Sequence, residues 1–359
     1  MQPSPIEITA AAIFALAVLH TFLASRFERM ARSDSRHAGL WHLMGEVEVV
    51  AGFWALVLML ADFALEGSQA GTEYADTRNF TEPLFVFAIM VMAATRPILR
   101  AASAAVGLAA RALPLPGAAG FTLAAMLLVP LLGSFITERA AMTLAALMLS
   151  RRLFDQPVSA RLKYAALGVL FVNVSIGGTL TPYAAPPVLM VAGKWGWDMA
   201  FMFQAFGWKA ALAVVANAVG LVAVFWGELT HLDIGEAEDQ AEQKRPVPPL
   251  LTLAHLLLLA GVVVFAHHPP LFLGLFLLFL GVAQAYKRHQ DRLILREGLL
   301  VAFFLAGLVV LGGRQQWWLE PLLTSLGGEA MFFGSTALTA ITDNAALTYL
   351  GSLVEGLSD

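Results

Sequence analysis

Ile136-Thr137-Glu138-Arg139-Ala140-Ala141-Met142-Thr143 returns 205 residues later as Ile341-Thr342-Asp343-Asn344-Ala345-Ala346-Leu347-Thr348. Five of the eight positions are identical, and the third is an acid both times. Each copy lies inside an apolar stretch. An acid at membrane depth costs about 2.5–3.5 kcal/mol on insertion scales, so its presence points to function. A repeated one suggests two halves that each bring a polar tip to a site, the construction of many secondary transporters. The alternative is a chance match in Ala- and Thr-rich sequence.

Composition places the chain in a bilayer. Of its 359 residues, 58% are hydrophobic and only 13% charged, far from the averages of soluble domains. The net charge of -4 and the lack of any long basic run argue against a nucleic-acid partner. No cysteine is present, which removes disulfides, thiolate metal sites and thiol nucleophiles. The N-terminus is apolar from Ile6 to Ala24, but Glu7 stands where a signal peptide would carry Lys or Arg. It reads as a retained first span.

Windows able to cross about 30 Å of hydrocarbon fall at 6–25, 43–64, 80–97, 164–193, 199–226, 249–266, 269–286 and 297–313. The segment 98–112, with Arg100 and Arg111, reads as an interfacial helix. Seventeen of the 22 Lys and Arg fall in one set of loops: 26–39, 96–111, 151–163, 244–245 and 287–296. The positive-inside rule makes that set cytoplasmic and the N-terminus external. The segment 117–150 then has both flanks, Arg111 and Arg151, on the same side. Two short spans would satisfy this, and so would a re-entrant hairpin that turns near Gly133-Ser134 and Ile136-Thr137-Glu138. The hairpin explains the flanks and the polar tip together, with protein or water around its turn. By the same logic 326–356 is a hairpin opening outward. The expected architecture is an all-α multi-pass membrane protein, an inverted-repeat secondary transporter with two re-entrant hairpins and a broken transmembrane helix. Its first repeat is 1–226, its cytoplasmic linker 227–248 and its second repeat 249–359. The linker carries eight charged residues before Pro246, and its acids read as solubilising.

The broken helix is the span 164–193. It contains Asn173, Ser175, Gly177-Gly178-Thr179, Thr181-Pro182 and Pro186-Pro187. Each interior proline removes a donor and clashes with the carbonyl four residues back, so the carbonyls of Gly178, Pro182 and Tyr183 are disturbed. Freed carbonyls in lipid need a cation, a water or a substrate. The hydroxyl and amide oxygens of Asn173, Ser175, Thr179 and Thr181 suit a hard cation such as Na⁺. The half-helix beginning near Pro186 presents its positive end and could hold an anion. A kink with a purely structural role is the alternative.

The Gly-Gly-Thr-x-Thr-Pro stretch at 177–182, running into Pro-Pro-Val-Leu-Met-Val at 186–191, resembles the broken span of the ion transporter superfamily. The tip Thr342-Asp343-Asn344 is similar to its hairpins, and the closest branch is that of the sodium/proton antiporters. The similarity covers about 117–355, and the early Gly45-Glu46-Val47-Glu48 fits as well. The resemblance implies an elevator-type or rocking carrier with cations held beside two hairpin tips. Carried over, the site is Thr137 and Glu138 from the first tip. Asn173, Gly178, Thr179 and Thr181 come from the broken span, and Thr342, Asp343 and Asn344 from the second tip. Two departures stand out. Arg139 occupies the place of Asn344, and a cation beside Glu138 would compete with Na⁺. The second broken span would map to 382–396, past Asp359, so the second repeat is expected to be incomplete, with the face of 331–349 more exposed than that of 134–150.

Other polar residues divide by place. Glu46 lies four residues from His42 and offers a proton relay with it and His20, although both histidines read more simply as interfacial. Asp62 and Glu82, near the outer ends of their spans, read as wet. Lys209 and Asn217 line a cavity or pair with an acid. His267-His268-Pro269-Pro270 reads as a tight turn rather than a metal site.

The leading function is exchange of Na⁺ for H⁺ across the cell (inner) membrane, with Asp343 first and Glu138 second as the carboxylate that holds either ion. An anion or carboxylate carrier is the alternative among carriers, favoured by Arg139 and Pro186. An intramembrane hydrolase built on two acids lacks a nucleophile elbow or zinc motif; a non-transporting subunit is the third option. No cofactor is expected, only transported Na⁺ and H⁺. The partners are the lipid bilayer and these ions, and a homodimer is left open by the sequence.

Overall fold

The computed structural model describes residues 3–33, 36–232, 246–340, 342 and 344–354. Among them every regular element is helical. In chain order they are α1 (Pro5–Arg32), α2 (Ala38–Gly45), α3 (Val47–Leu65), α4 (Ser68–Asp76), α5 (Thr81–Ala93) and α6 (Arg96–Ala112). Next come α7 (Ala119–Ile136), α8 (Glu138–Leu149), α9 (Ala160–Gly177), α10 (Pro186–Trp195), α11 (Met199–Met202), α12 (Trp208–Val224) and α13 (Trp226–His231). The chain continues as α14 (Pro249–Val264), α15 (Pro269–Ala285), α16 (Leu295–Gly312), α17 (Gln316–Thr324), α18 (Gly328–Thr339) and α19 (Asn344–Ser352). Among the described residues six stretches are long and apolar enough to cross a bilayer: α1, α3, α7, α9 with the turn after it, α11 to α12, and α16. The helices α14 and α15, with 16 and 17 residues, are shorter. The expected span 80–97 is instead a 13-residue α5, followed by a 66° bend into α6. Pro97 in the first turn of α6 explains the break, because it supplies no donor to the turn before it.

The chain forms two compact units, Met1–Phe87 with Leu295–Asp359, and Ala88–Ile294. In the first, α3 and α16 cross at two glycines. A Cβ on Gly52 would lie 2.3 Å from the Phe303 ring, and one on Gly307 only 2.4 Å from the Ala51 backbone. Small residues let helix backbones approach where lipid offers no competing hydrophobic drive. The helix α1 starts in a capping box: the Ser4 amide donates to Glu7 at 2.7 Å, and Pro5 opens the first turn. Glu7, odd for a signal peptide, is thus a helix-starting residue. The helix α19 packs Leu350 and nearby Val354 against Leu319 of α17, whereas α18 has no buried residue.

Two polar residues of this unit depart from expectation. His20 is buried, not interfacial. The break between α2 and α3 at Glu46 frees the Met44 carbonyl, and His20 Nε2 takes it at 2.8 Å while Nδ1 accepts from Trp54 Nε1 at 3.0 Å. Asp62 is fully buried, not wet, and accepts from Arg314 Nη2 at 2.6 Å. The Arg314 guanidinium in turn lies 4.3 Å from the Tyr74 ring centre, and Arg78 lies 4.6 Å from the same ring. Burial pushes the Tyr74 hydroxyl up to about 12, so it stays a donor, to Val310 O at 2.5 Å.

In the second unit α7 is central and packs against α6, α8, α9 and α12. It is 67% buried, the reverse of α18. The turn between α14 and α15 passes through His267 and closes with His268 N donating to Phe265 O at 2.8 Å. The start of the expected linker is ordered: α13 buries Leu229, whose carbonyl accepts from Ala118 N at 2.8 Å. Glu228 caps α9 by accepting from Ser159 N and Oγ. The rest of the linker, 233–245, lies outside the described residues.

Candidate functional site

The site begins with one residue in an unusual conformation. Thr137 joins α7 to α8 at φ 75° and ψ 151°, and among the described residues it is the one non-glycine with positive φ. That region costs about 1–3 kcal/mol for a residue with a Cβ and persists where its surroundings hold it, often at functional sites. The chain doubles back there. Four residues on either side, a Cβ on Gly133 would sit 3.1 Å from that of Ala141. The tip is therefore a tight helical hairpin. Its second arm, α8, runs without a break into a π-helical turn at Ser150–Phe154.

The broken span lies against this hairpin. The helix α9 ends at Gly177, a 3₁₀ turn covers Gly178–Leu180, and α10 begins at Pro186. Gly177 is required by contact: a Cβ there would meet the Pro130 carbonyl oxygen at 2.5 Å. Ser134 ties the break down with three bonds. Its hydroxyl donates to Gly177 O at 2.5 Å and accepts from Leu180 N at 3.0 Å, and its carbonyl accepts from Thr181 Oγ1 at 2.6 Å. The unwound backbone so finds partners on α7 rather than in lipid.

Asn173 completes the seam. Pro130 has no N–H, so the Met126 carbonyl four residues back lacks its helical partner. Asn173 Nδ2 donates to that oxygen at 3.0 Å and to Val214 O at 3.3 Å. Its own Oδ1 accepts from Asn217 Nδ2 at 3.0 Å. Asn173 is fully buried, and its role here is to bracket α7, α9 and α12.

Glu138 is held at the centre. A Cβ on Gly178 would meet Glu138 Oε1 at 2.7 Å and Cγ at 3.0 Å. The carboxylate thus rests on the backbone of the break, in space that any side chain at 178 would take. Among the described residues it makes no hydrogen bond or ion pair. Thr179 Oγ1 donates to Ile176 O at 2.7 Å and Thr181 is fully buried. Both hydroxyl hydrogens are used, which leaves oxygen lone pairs as acceptors. Arg139 is exposed.

The structure thus brings together Thr137, Glu138, Asn173, Gly178, Thr179 and Thr181. The second tip belongs to the other unit. There Thr342 Oγ1 donates to Leu338 O at 2.8 Å, Asn344 is exposed at the start of α19, and Asp343 lies outside the described residues. Glu46 is paired with Arg296 at 2.5 Å and lies 3.5 Å from His42. Ser134, Pro130 and Asn217 are the contributors that sequence reasoning underweighted. The signal was a proline four residues beyond Met126, with two asparagines in apolar sequence.

Several helices able to cross a bilayer, with a carboxylate seated on a broken helix, fit the class of secondary ion transporters. The sequence matches the family described as "Putative Na+/H+ antiporter" over residues 5–359, and the chain belongs to that family. It is a Na⁺/H⁺ exchanger and not an enzyme. No curated protein matches the sequence.

Proposed function

We propose that Glu138 is the group in the second unit that exchanges Na⁺ for H⁺. The observation that carries this reading is the carboxylate on Gly178, without a partner among the described residues and beside an unwound backbone. A carboxylate in such a place binds a proton or a cation, one excluding the other, so competition alone couples the two fluxes. One negative charge among neutral hydroxyl and carbonyl oxygens matches a monovalent hard cation. Among the described residues no group of three His, Asp or Glu is placed to hold a metal ion, which favours Na⁺ over a divalent ion as cargo. Thr137, Thr179 and the carbonyl of Gly178 are the neighbouring oxygens, with Asn173 and Thr181 holding the frame. The repeat makes Asp343, between Thr342 and Asn344, the equivalent acid of the second tip.

In this reading α7–α8 and 326–356 are re-entrant hairpins of inverted repeats. The support is the turn at Thr137, the shared cytoplasmic flanks of 117–150 and the repeated octapeptide. The Lys and Arg bias orients the N-terminus outward.

The deciding experiment is Na⁺-driven proton flux in vesicles. Glu138→Gln is isosteric and is expected to reduce flux to background with an unchanged unfolding temperature. Gly178→Ala, which displaces the carboxylate, is expected to raise KM for Na⁺ several-fold. Full flux in Glu138→Gln would remove this residue from the mechanism.

A further inference from the structure

Ser134 is fully buried on the last turn of α7, four residues before Glu138 and on the other side of the turn at Thr137. Its hydroxyl reaches both ends of one short segment. It donates to Gly177 O and accepts from Leu180 N at 3.0 Å, so Gly178 and Thr179 lie between two atoms held by a single oxygen. By composition this is the loosest backbone of the broken span, because glycine has more conformational freedom to lose than any other residue and two of them stand in succession. Pro182 has no N–H, so Gly178 O also lacks its α-helical partner. One pair of helices, α7 and α8, thus carries both the Glu138 carboxylate and the group that fixes the backbone on which it rests.

We propose that Ser134 is a positioning residue that sets the affinity of the exchanger for Na⁺ and leaves its affinity for H⁺ alone. The inference rests on Glu138 as the exchanging group. A proton needs one carboxylate oxygen. A hard cation needs several oxygens at once, each at about 2.3–2.6 Å, so it binds only while the carboxylate and the oxygens of the break keep one spacing. Ser134 fixes that spacing without touching the ion, since its hydrogen goes to Gly177 O and its oxygen takes Leu180 N. Without the hydroxyl both backbone atoms lose their partner on α7, and the Gly177-Gly178 segment is free to shift against Glu138. Partners of this kind, one bond removed from the ion, change metal affinity by about 10–100-fold when they are removed.

The test is Na⁺-driven proton flux in vesicles holding the full chain, with KM for Na⁺ followed across pH. Where Na⁺ and H⁺ compete for one carboxylate, KM climbs as pH falls below a bend set by the proton affinity. Ser134→Ala is expected to raise KM about tenfold at every pH, with the bend unmoved. A purely structural serine would lower the amount of folded carrier, and with it the flux, and leave KM where it was. If flux in Ser134→Ala is too low for kinetics, the Na⁺ concentration that half-stabilises the purified chain against thermal unfolding reads the same shift. Ser134→Thr retains the hydroxyl and is expected to stay near the parent KM. With Glu138→Gln inactive, an unchanged KM in Ser134→Ala, a moved bend, or an equal rise in Ser134→Thr would overturn the role of Ser134 alone. Full flux in Glu138→Gln would instead remove the exchanging group, and this role with it.

Discussion

Asp62 and Glu138 are both acids in apolar sequence, and the fold treats them in opposite ways. Asp62 accepts a charged hydrogen bond from Arg314 and is sealed from solvent; Glu138 has no such partner among the described residues and lies against the break at Gly178. The first is a structural pair, and the second is the group we propose for the exchange chemistry. Replacing one member of a buried pair leaves the other charge uncompensated, at about 3–5 kcal/mol. Asp62→Asn is expected to lower the unfolding temperature strongly, and Asp62→Asn with Arg314→Gln to recover much of it, read by thermal unfolding in detergent. Equal losses in the single and double variants would show that the pair contributes little. The sequence marks Glu138 because its evidence is local: an acid, a repeat and a neighbouring run of glycine and proline. It does not mark Asp62, whose partner is 252 residues away. Nothing in the residues around position 62 announces that pairing, so an acid near a span end reads as wet.

At the scale of elements, the hairpin and the broken span are legible for a physical reason. Proline and glycine act on the backbone within four residues, so their effects can be placed without knowing the fold. The break expected in 164–193 falls at Gly178–Thr181, and the two helices within 117–150 meet at a turn at Thr137. What holds the break was not legible, because it depends on Pro130 in a different helix. The two helices share the Met126 carbonyl: the proline frees it and Asn173 claims it. A double-mutant cycle tests this exchange. Asn173→Ala leaves a buried carbonyl unsatisfied and is expected to cost about 1–3 kcal/mol. With Pro130→Ala the α7 backbone regains a donor for Met126, so the same asparagine substitution should cost less. Additive losses, measured by chemical unfolding, would count against a shared acceptor.

At the scale of the whole molecule, the division of the chain does not follow the repeat. The octapeptide copies lie in different compact units, while the first unit combines the N-terminal helices with Leu295–Asp359. Sequence symmetry reports ancestry of segments, whereas compactness reports which helices share buried surface, and the α3–α16 crossing at Gly52 and Gly307 joins the two ends of the chain. The orientation rests on the 17 cationic loop residues. Since the chain has no cysteine, single ones can be added for labelling. Ser68→Cys and Lys287→Cys are both exposed positions; an impermeant maleimide added to intact cells is expected to modify the first and spare the second. The reverse pattern would invert the topology.

The close approach of Gly177 to the Pro130 carbonyl, which leaves no room for a Cβ, has a consequence for motion. Helices that touch backbone to backbone cannot slide without first parting, and Ser134 pins the same seam with three hydrogen bonds. The hairpin arm α7 and the first half of the broken span must then travel as one piece through the transport cycle. Paired spin labels on the exposed Phe135 and Phe171 should report the same separation in Na⁺ and at low pH, with no second distance population appearing as the cargo changes. Such invariance would make this seam the chassis of the carrier, and any gate would have to lie elsewhere.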